Sequence, residues 1–148
     1  MNTSQKATAR VSHKFGASAE RVFDAWLDPS SVGQWLFATP TGRVVRAEID
    51  ARVGGSFIIT DRRDGEDVEH IGEYLELDRP RRIAFLLRVP KYGQDRDRVV
   101  VDIAPLGTGC EVTITHELGP VDAETTEKAK EGWTDILLQL ARALERTK

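Results

Sequence analysis

One cysteine in 148 residues leaves no internal disulfide to form, and nothing near Cys110 in the sequence supplies the second ligand of a zinc pattern. Cys110 therefore reads as a small strand residue. No apolar run approaches the roughly 20 residues of a membrane-spanning helix. The opening MNTSQKATARV lacks the apolar core of a signal peptide, so a cytoplasmic location is the expectation. Charge of one sign is not in excess either: 21 Lys and Arg stand against 24 Asp and Glu, a net charge of −3. Such a balance gives no broad positive field for phosphates, which argues against a nucleic-acid partner. Internal repeats, low-complexity segments and a second-domain linker are absent as well.

The usual signatures of catalysis are also missing. There is no G-x-S-x-G, no H-E-x-x-H and no phosphate-binding glycine loop, and His116-Glu117 lacks the second histidine of a zinc helix. Cys110 and His116 fall on the same side of one expected strand, but six residues of strand separate them by about 20 Å, too far for a nucleophile and its base. Asp61, Asp64, Glu66, Asp67 and Glu69 crowd around a hairpin without calcium-loop spacing and read as a solvated tip. Arg79, Arg81 and Arg82 bracket Pro80 and read as a solvated turn. No cofactor and no metal are expected, since three histidines would bind a metal only if their strands converged.

What is present is periodicity. Hydrophobic residues make up 40% and charged residues 30%, ordinary for a globular chain of one domain's length, which buries roughly two-thirds of its unfolded surface. Residues 1–8 read as a disordered lead and 9–148 as a single domain. Val11, His13 and Phe15 alternate with Ser12 and Lys14, which marks a strand with one buried face. Ser18 offers an N-cap to a helix carrying Val22, Phe23, Trp26 and Leu27. Asp28-Pro29 ends it and begins a second short helix, closed by Gln34, Trp35, Leu36 and Phe37. Six further alternating segments follow: Val45–Ile49, Ser56–Arg62, Val68–Leu77, Arg81–Val89, Val99–Ile103 and Val112–Leu118. The turns between them carry Gly54-Gly55, Asp64-Gly65 and Gly107-Thr108-Gly109. In the fourth of the seven strands His70, Gly72 and Tyr74 face one way and Ile71 and Leu75 the other, which predicts a bulge near Gly72 or burial of both faces.

The chain ends on GWTDILLQLARAL. Here Trp133, Ile136, Leu137, Leu140, Ala141 and Leu144 recur at helical spacing and collect on one face. A long apolar stripe following seven strands in meander order implies an antiparallel sheet with a helix laid on its face.

This order is the helix-grip arrangement, and local stretches strengthen the match: ASAERVFDAWLDP followed by QWLF, then VGGSF, GEYLELDRPRRIAF, GTGCEVTITHEL, and EGW with LLQLARAL. Together, from about Ala9 to Leu144, they resemble the heat-shock-protein-90 ATPase activator homologue branch of the START/Bet v 1-like (SRPBCC) superfamily. The resemblance implies an α+β helix-grip fold: a seven-stranded antiparallel sheet wrapped around a long C-terminal helix, with two short helices after the first strand. It also implies a deep pocket between sheet and helix that in many relatives holds an apolar or aromatic small molecule. Some relatives carry sterols or lipids and some are polyketide cyclases or aromatases. The eponymous eukaryotic proteins are co-chaperones with a further N-terminal domain.

Candidate pocket residues are Trp35 and Phe37 near the expected mouth, Phe57, Tyr74 and Phe85 on strands, and Trp133 and Leu137 on the closing helix. His70, Tyr74 and His116 are the candidate polar groups, and a core histidine satisfied by backbone or water is the other reading of His13, His70 and His116. Three functions stay open. The first is a non-catalytic protein holding a small apolar or aromatic ligand. The second is a cyclase or aromatase using a pocket His or Tyr. The third is an interaction module, a chaperone cofactor or homodimer, presenting Trp35–Phe37 or the Pro90–Asp97 loop with Tyr92.

Overall fold

Seven strands form one antiparallel sheet in which every adjacent pair but one joins neighbours in sequence, the exception pairing the first strand with the last. The computed structural model describes residues 7–37, 42–93, 96–119 and 121–146, without the side chains of Tyr92 and Arg146. The strands are β1 (Thr8–Phe15), β2 (Arg43–Ile49), β3 (Ser56–Arg63), β4 (Glu66–Asp78), β5 (Arg82–Arg88), β6 (Asp97–Leu106) and β7 (Gly109–Glu117). The helices are α1 (Ala19–Leu27), α2 (Pro29–Val32) and α3 (Ala123–Arg146). This is the helix-grip α+β fold that the sequence implies. Thr8 already pairs with Glu117, and the Ala7 carbonyl accepts from Leu118 N, so β1 takes in the end of the expected lead.

Local chemistry sets the element ends. Ser18 Oγ accepts from Arg21 N at the start of α1, and Asp28 closes α1 while its carboxylate accepts from Ser30 N at the start of α2. Each cap satisfies an amide that the helix itself leaves unpaired. At the other end of the chain, Asp122 Oδ1 accepts from Thr125 N and opens α3. Arg21 donates to the Leu144 carbonyl at 3.0 Å, which ties α1 to the last turn of α3, where carbonyls lack helical partners. Asp64 and Gly65 both take positive φ, 52° and 75°, the backbone of a tight hairpin turn that matches strand twist.

α3 lies on the concave face of the sheet. Trp133, Ile136, Leu137, Leu140, Ala143 and Leu144 are buried against it, with Leu140 fully inaccessible, while Ala141 is only partly covered. The stripe drifts from Ala141 to Ala143 because 3.6 residues per turn rotate the contact line along a 24-residue helix. Facing it are Phe57 and Ile59 of β3, Tyr74 of β4, Ile83 and Phe85 of β5, and Val99, Val101 and Ile103 of β6. Cys110 is buried on β7, in keeping with a structural role.

β4 carries the expected bulge near Gly72, as a register shift between Tyr74 and Glu76. Gly72 itself is the seat of the Phe57 ring, which a Cβ at that position would overlap. The glycine there serves close packing of an aromatic across the β3–β4 pair, which requires no break in the ladder.

Candidate functional site

Antiparallel register brings the candidate residues into adjacent rows on the concave face. His116, Val99, Phe85 and Tyr74 align across β7, β6, β5 and β4, and beside them Asp97, Leu87, Gly72 and Phe57 align across β6 to β3. Above these rows sit Trp26 of α1, Trp35 and Phe37 after α2, and Trp133 and Leu137 of α3. All nine residues expected at the pocket are buried and converge on one interior: Trp35, Phe37, Phe57, His70, Tyr74, Phe85, His116, Trp133 and Leu137. Trp35 is 0% and Phe37 7% exposed, so neither stands at a solvent-facing mouth. With Leu36 they form no exposed aromatic run, and the docking surface expected of an interaction module is absent there. Residues 94–95 and the Tyr92 side chain of the other expected docking loop lie outside the described residues.

The rings form a continuous network. Trp26 meets Trp35 edge-on at 4.8 Å and Trp133 at 6.4 Å; Trp133 meets Phe37 edge-on at 5.8 Å. Phe37 stacks on His70 at 4.2 Å with the planes 7° apart and on Phe57 at 6.3 Å, and Phe57 continues to Phe85 at 5.2 Å and Tyr74 at 5.6 Å. Phe37 is the junction between the helical and the sheet side. Its backbone sits at φ 59°, a left-handed conformation that costs a bulky residue roughly 1–3 kcal/mol and is offset by surrounding contacts. Sequence periodicity contains no sign of this, because it reports which face a residue takes and not its φ.

Two buried histidines flank the network with opposite hydrogen bonding. His116 Nδ1 is 3.0 Å from Trp133 Nε1, and its Nε2 is 2.9 Å from Asp97 Oδ2. An indole N–H only donates, so Nδ1 must be the acceptor, and Nε2 carries the proton and donates to the carboxylate. His70 Nδ1 is 3.2 Å from the Ile59 carbonyl, which only accepts, so here Nδ1 donates. Burial pushes the His70 pKa down to about 4, leaving the ring neutral near pH 7. Burial also raises the Tyr74 phenol above its ordinary value, so it stays protonated.

Asp97 and Trp26 were not among the candidates. Asp97 ended a polar loop in the linear reading, and only the β6–β7 register places it beside His116. Trp26 belonged to the apolar stripe of α1, the same signal that any core residue gives. The acidic hairpin also departs from expectation, since Asp61 is fully buried and pairs with Arg63 at 2.8 Å rather than joining a solvated tip. Spacing by two along β3 puts Asp61 on the same face as Phe57 and Ile59.

The third histidine stands apart. His13 packs edge-on against Phe15 at 4.8 Å and borders an open groove of about 290 Å³ between the end of β1 and the end of α3, with Arg21, Leu144 and Glu145. The three histidines do not meet, and among the described residues no group of three or more His, Cys, Asp or Glu is placed to hold a metal. The expected solvated turn at Arg79–Arg82 is edged by acids: Arg79 pairs with Asp24, Arg81 with Asp78 and Arg82 with Asp102. No helix among the described residues is long and apolar enough to cross a membrane.

A sequence model of the family described as Activator of Hsp90 ATPase homolog 1-like protein matches residues 16–145. The chain belongs to this family. Among solved structures, a Chromobacterium violaceum protein is 32% identical, with a TM-score of 0.81 over 91% of this chain and 94% of that one. The Hsp90-activator-homologue-like fold recurs in an AHSA1-like protein from Aeromonas hydrophila, 23% identical, with a TM-score of 0.79 over 95% and 94%. It recurs again in a Staphylococcus aureus protein of unknown function, 16% identical, with a TM-score of 0.82 over 97% and 96%. The last two likenesses speak for the fold alone. No protein of curated function matches the chain. Within the SRPBCC superfamily, to which this Hsp90-activator-homologue-like chain is thereby assigned, ligand binding is common.

Proposed function

We propose that this protein binds a small apolar or aromatic molecule between the sheet and α3, with no chemistry of its own. The observation that carries this reading is Phe37, a large ring held at φ 59° where it joins Trp133, Phe57 and His70. Strained backbone of this kind concentrates at ligand clamps and switch regions. A molecule seated between the short helices and α3 would exchange the ring contacts of Phe37 for ligand contacts. The lining suits such a ligand, being mainly apolar with a few polar groups, His70, Tyr74 and His116. We place the protein in the cytoplasm.

The His116–Asp97 pair favours a second reading, because a carboxylate orienting an imidazole is the arrangement of a general base. The lone pair that a base would use is occupied by the Trp133 indole, however. Binding is therefore preferred to a cyclase or aromatase activity.

The test is thermal shift across fatty acids, sterols, flavonoids and aromatic polyketides, on the wild type and on Phe37→Ala. At least one class should raise the Tm of the wild type, and Phe37→Ala should change the size of that rise. A panel with no shift, together with a crystal structure in which side chains fill the interior solid, ends the proposal.

A further inference from the structure

The protein has three tryptophans, and the structure treats their indole N–H groups differently. Trp35 Nε1 donates to Ser31 Oγ at 3.2 Å, and Trp133 Nε1 donates to His116 Nδ1 at 3.0 Å. Trp26 Nε1 is buried and has no hydrogen-bond partner among the described residues, in a side chain only 3% exposed. A donor this deep is ordinarily matched, because leaving it unpaired forfeits its hydration with nothing in return. Changing Trp26 to a hydrocarbon ring of similar shape would avoid that loss, so the N–H marks a place where an acceptor arrives with something bound.

Its surroundings restrict what that acceptor is. Trp26 sits edge-on to Trp35 and faces Trp133, at the helical end of the ring network proposed as the binding site. Among the described residues the network consists of Trp, Phe, Tyr and His rings, with no Lys or Arg stacked on them. The ionised groups that reach it are already paired: Asp97 with His116, Arg63 beside His70 with Asp61, and Asp50 beside Tyr74 with Arg52. A carboxylate or phosphate entering here would be stripped of water without a cation to meet it, a cost that one indole N–H does not repay. A carbonyl oxygen carries no charge and needs one donor.

We infer that the ligand is a neutral molecule with an apolar, ring-like body and a carbonyl-type acceptor that takes the Trp26 indole N–H. This deepens the binding reading and rests on it. It excludes fatty acids and other free acids as the preferred occupants.

The experiment uses three probes of one body, naphthalene, 1-acetylnaphthalene and 1-naphthoate, titrated into the full chain labelled with ¹⁵N. Three indole cross-peaks report the three tryptophans, assigned by Trp→Phe variants. The ketone should bind at least five-fold more tightly than naphthalene and naphthoate more weakly than both. The Trp26 cross-peak should move downfield with the ketone and not with naphthalene, and in Trp26→Phe the ketone should bind no better than naphthalene. The wild-type cross-peak decides the matter even if that variant fails to fold. Equal affinities for ketone and naphthalene, or an unmoved Trp26 cross-peak with the ketone bound, overturn the inference and leave the binding site standing. If no probe moves any tryptophan cross-peak, the site itself is lost and the inference falls with it.

Discussion

The indole of Trp133 on α3 donates to Nδ1 of His116 on β7 across 3.0 Å, and the far side of the same imidazole donates to Asp97 on β6. A hydrogen-bonded line thus runs from the interior, where Trp133 is 4% exposed, to a carboxylate near the surface. It fixes the helix to the sheet at one point in rotation and height, which apolar contacts alone do less sharply because they are non-directional.

The two buried histidines should therefore show opposite tautomers. Histidine ¹⁵N shifts near pH 7 should report protonated Nε2 and bare Nδ1 for His116, and the reverse for His70, whose Nδ1 faces the Ile59 carbonyl. His116→Phe should remove the first pattern and leave the second. Two identical tautomers would contradict the hydrogen-bond assignment at one of the two sites.

Leu140 and Trp133 should separate stability from binding. Leu140 is 0% exposed, and truncating a buried leucine costs about 2–5 kcal/mol, a large part of a domain's stability. Leu140→Ala should then show a strongly lowered denaturation midpoint. Trp133→Phe keeps a ring but leaves His116 Nδ1 without its donor, a loss of about 1–3 kcal/mol. That variant should stay folded with altered ligand affinity. A nearly neutral Leu140→Ala would mean that the sheet does not grip the helix.

His70 should make the protein acid-sensitive in a defined window. Its folded pKa of about 4 lies below the ordinary 6.5, so between those values the unfolded chain binds the extra proton and the folded one does not. Stability is unaffected by this group above pH 6.5, falls as the pH drops through 6.5, and has lost its full share near pH 4. The loss is about 3 kcal/mol, from 1.36 kcal/mol per pKa unit. Denaturant melts at pH 7 and pH 4.5 should differ less in His70→Gln than in the wild type. Equal differences would mean that His70 is not desolvated in the folded state.

Much of the architecture was legible before any coordinates. Seven alternating segments, the Ser18 and Asp28 caps, the Asp64-Gly65 turn and the α3 stripe are local signals, written in periods of 2 and 3.6 and in residues whose backbone preferences are strong. The aromatic and histidine candidates were legible as inward-facing positions for the same reason. Their partners were not. Asp97 reaches His116 because β6 and β7 pair in one register, and a shift of one residue would turn it to the other face. Asp61 looked like surface because charge usually is. It is buried because its parity on β3 matches Phe57 and Ile59, with Arg63 two residues on to pair it. A bulge near Gly72 was legible in β4, but not that the ring of Phe57 from the neighbouring strand occupies the space a side chain at Gly72 would need. Trp26 looked like any core tryptophan, and that its N–H, unlike those of Trp35 and Trp133, meets no acceptor among the described residues depends on where Ser31 and His116 fall in space. Sequence determined which face each residue takes; tertiary structure decided which polar groups meet across elements, because hydrogen bonds depend on distances of a few ångströms that no periodicity encodes.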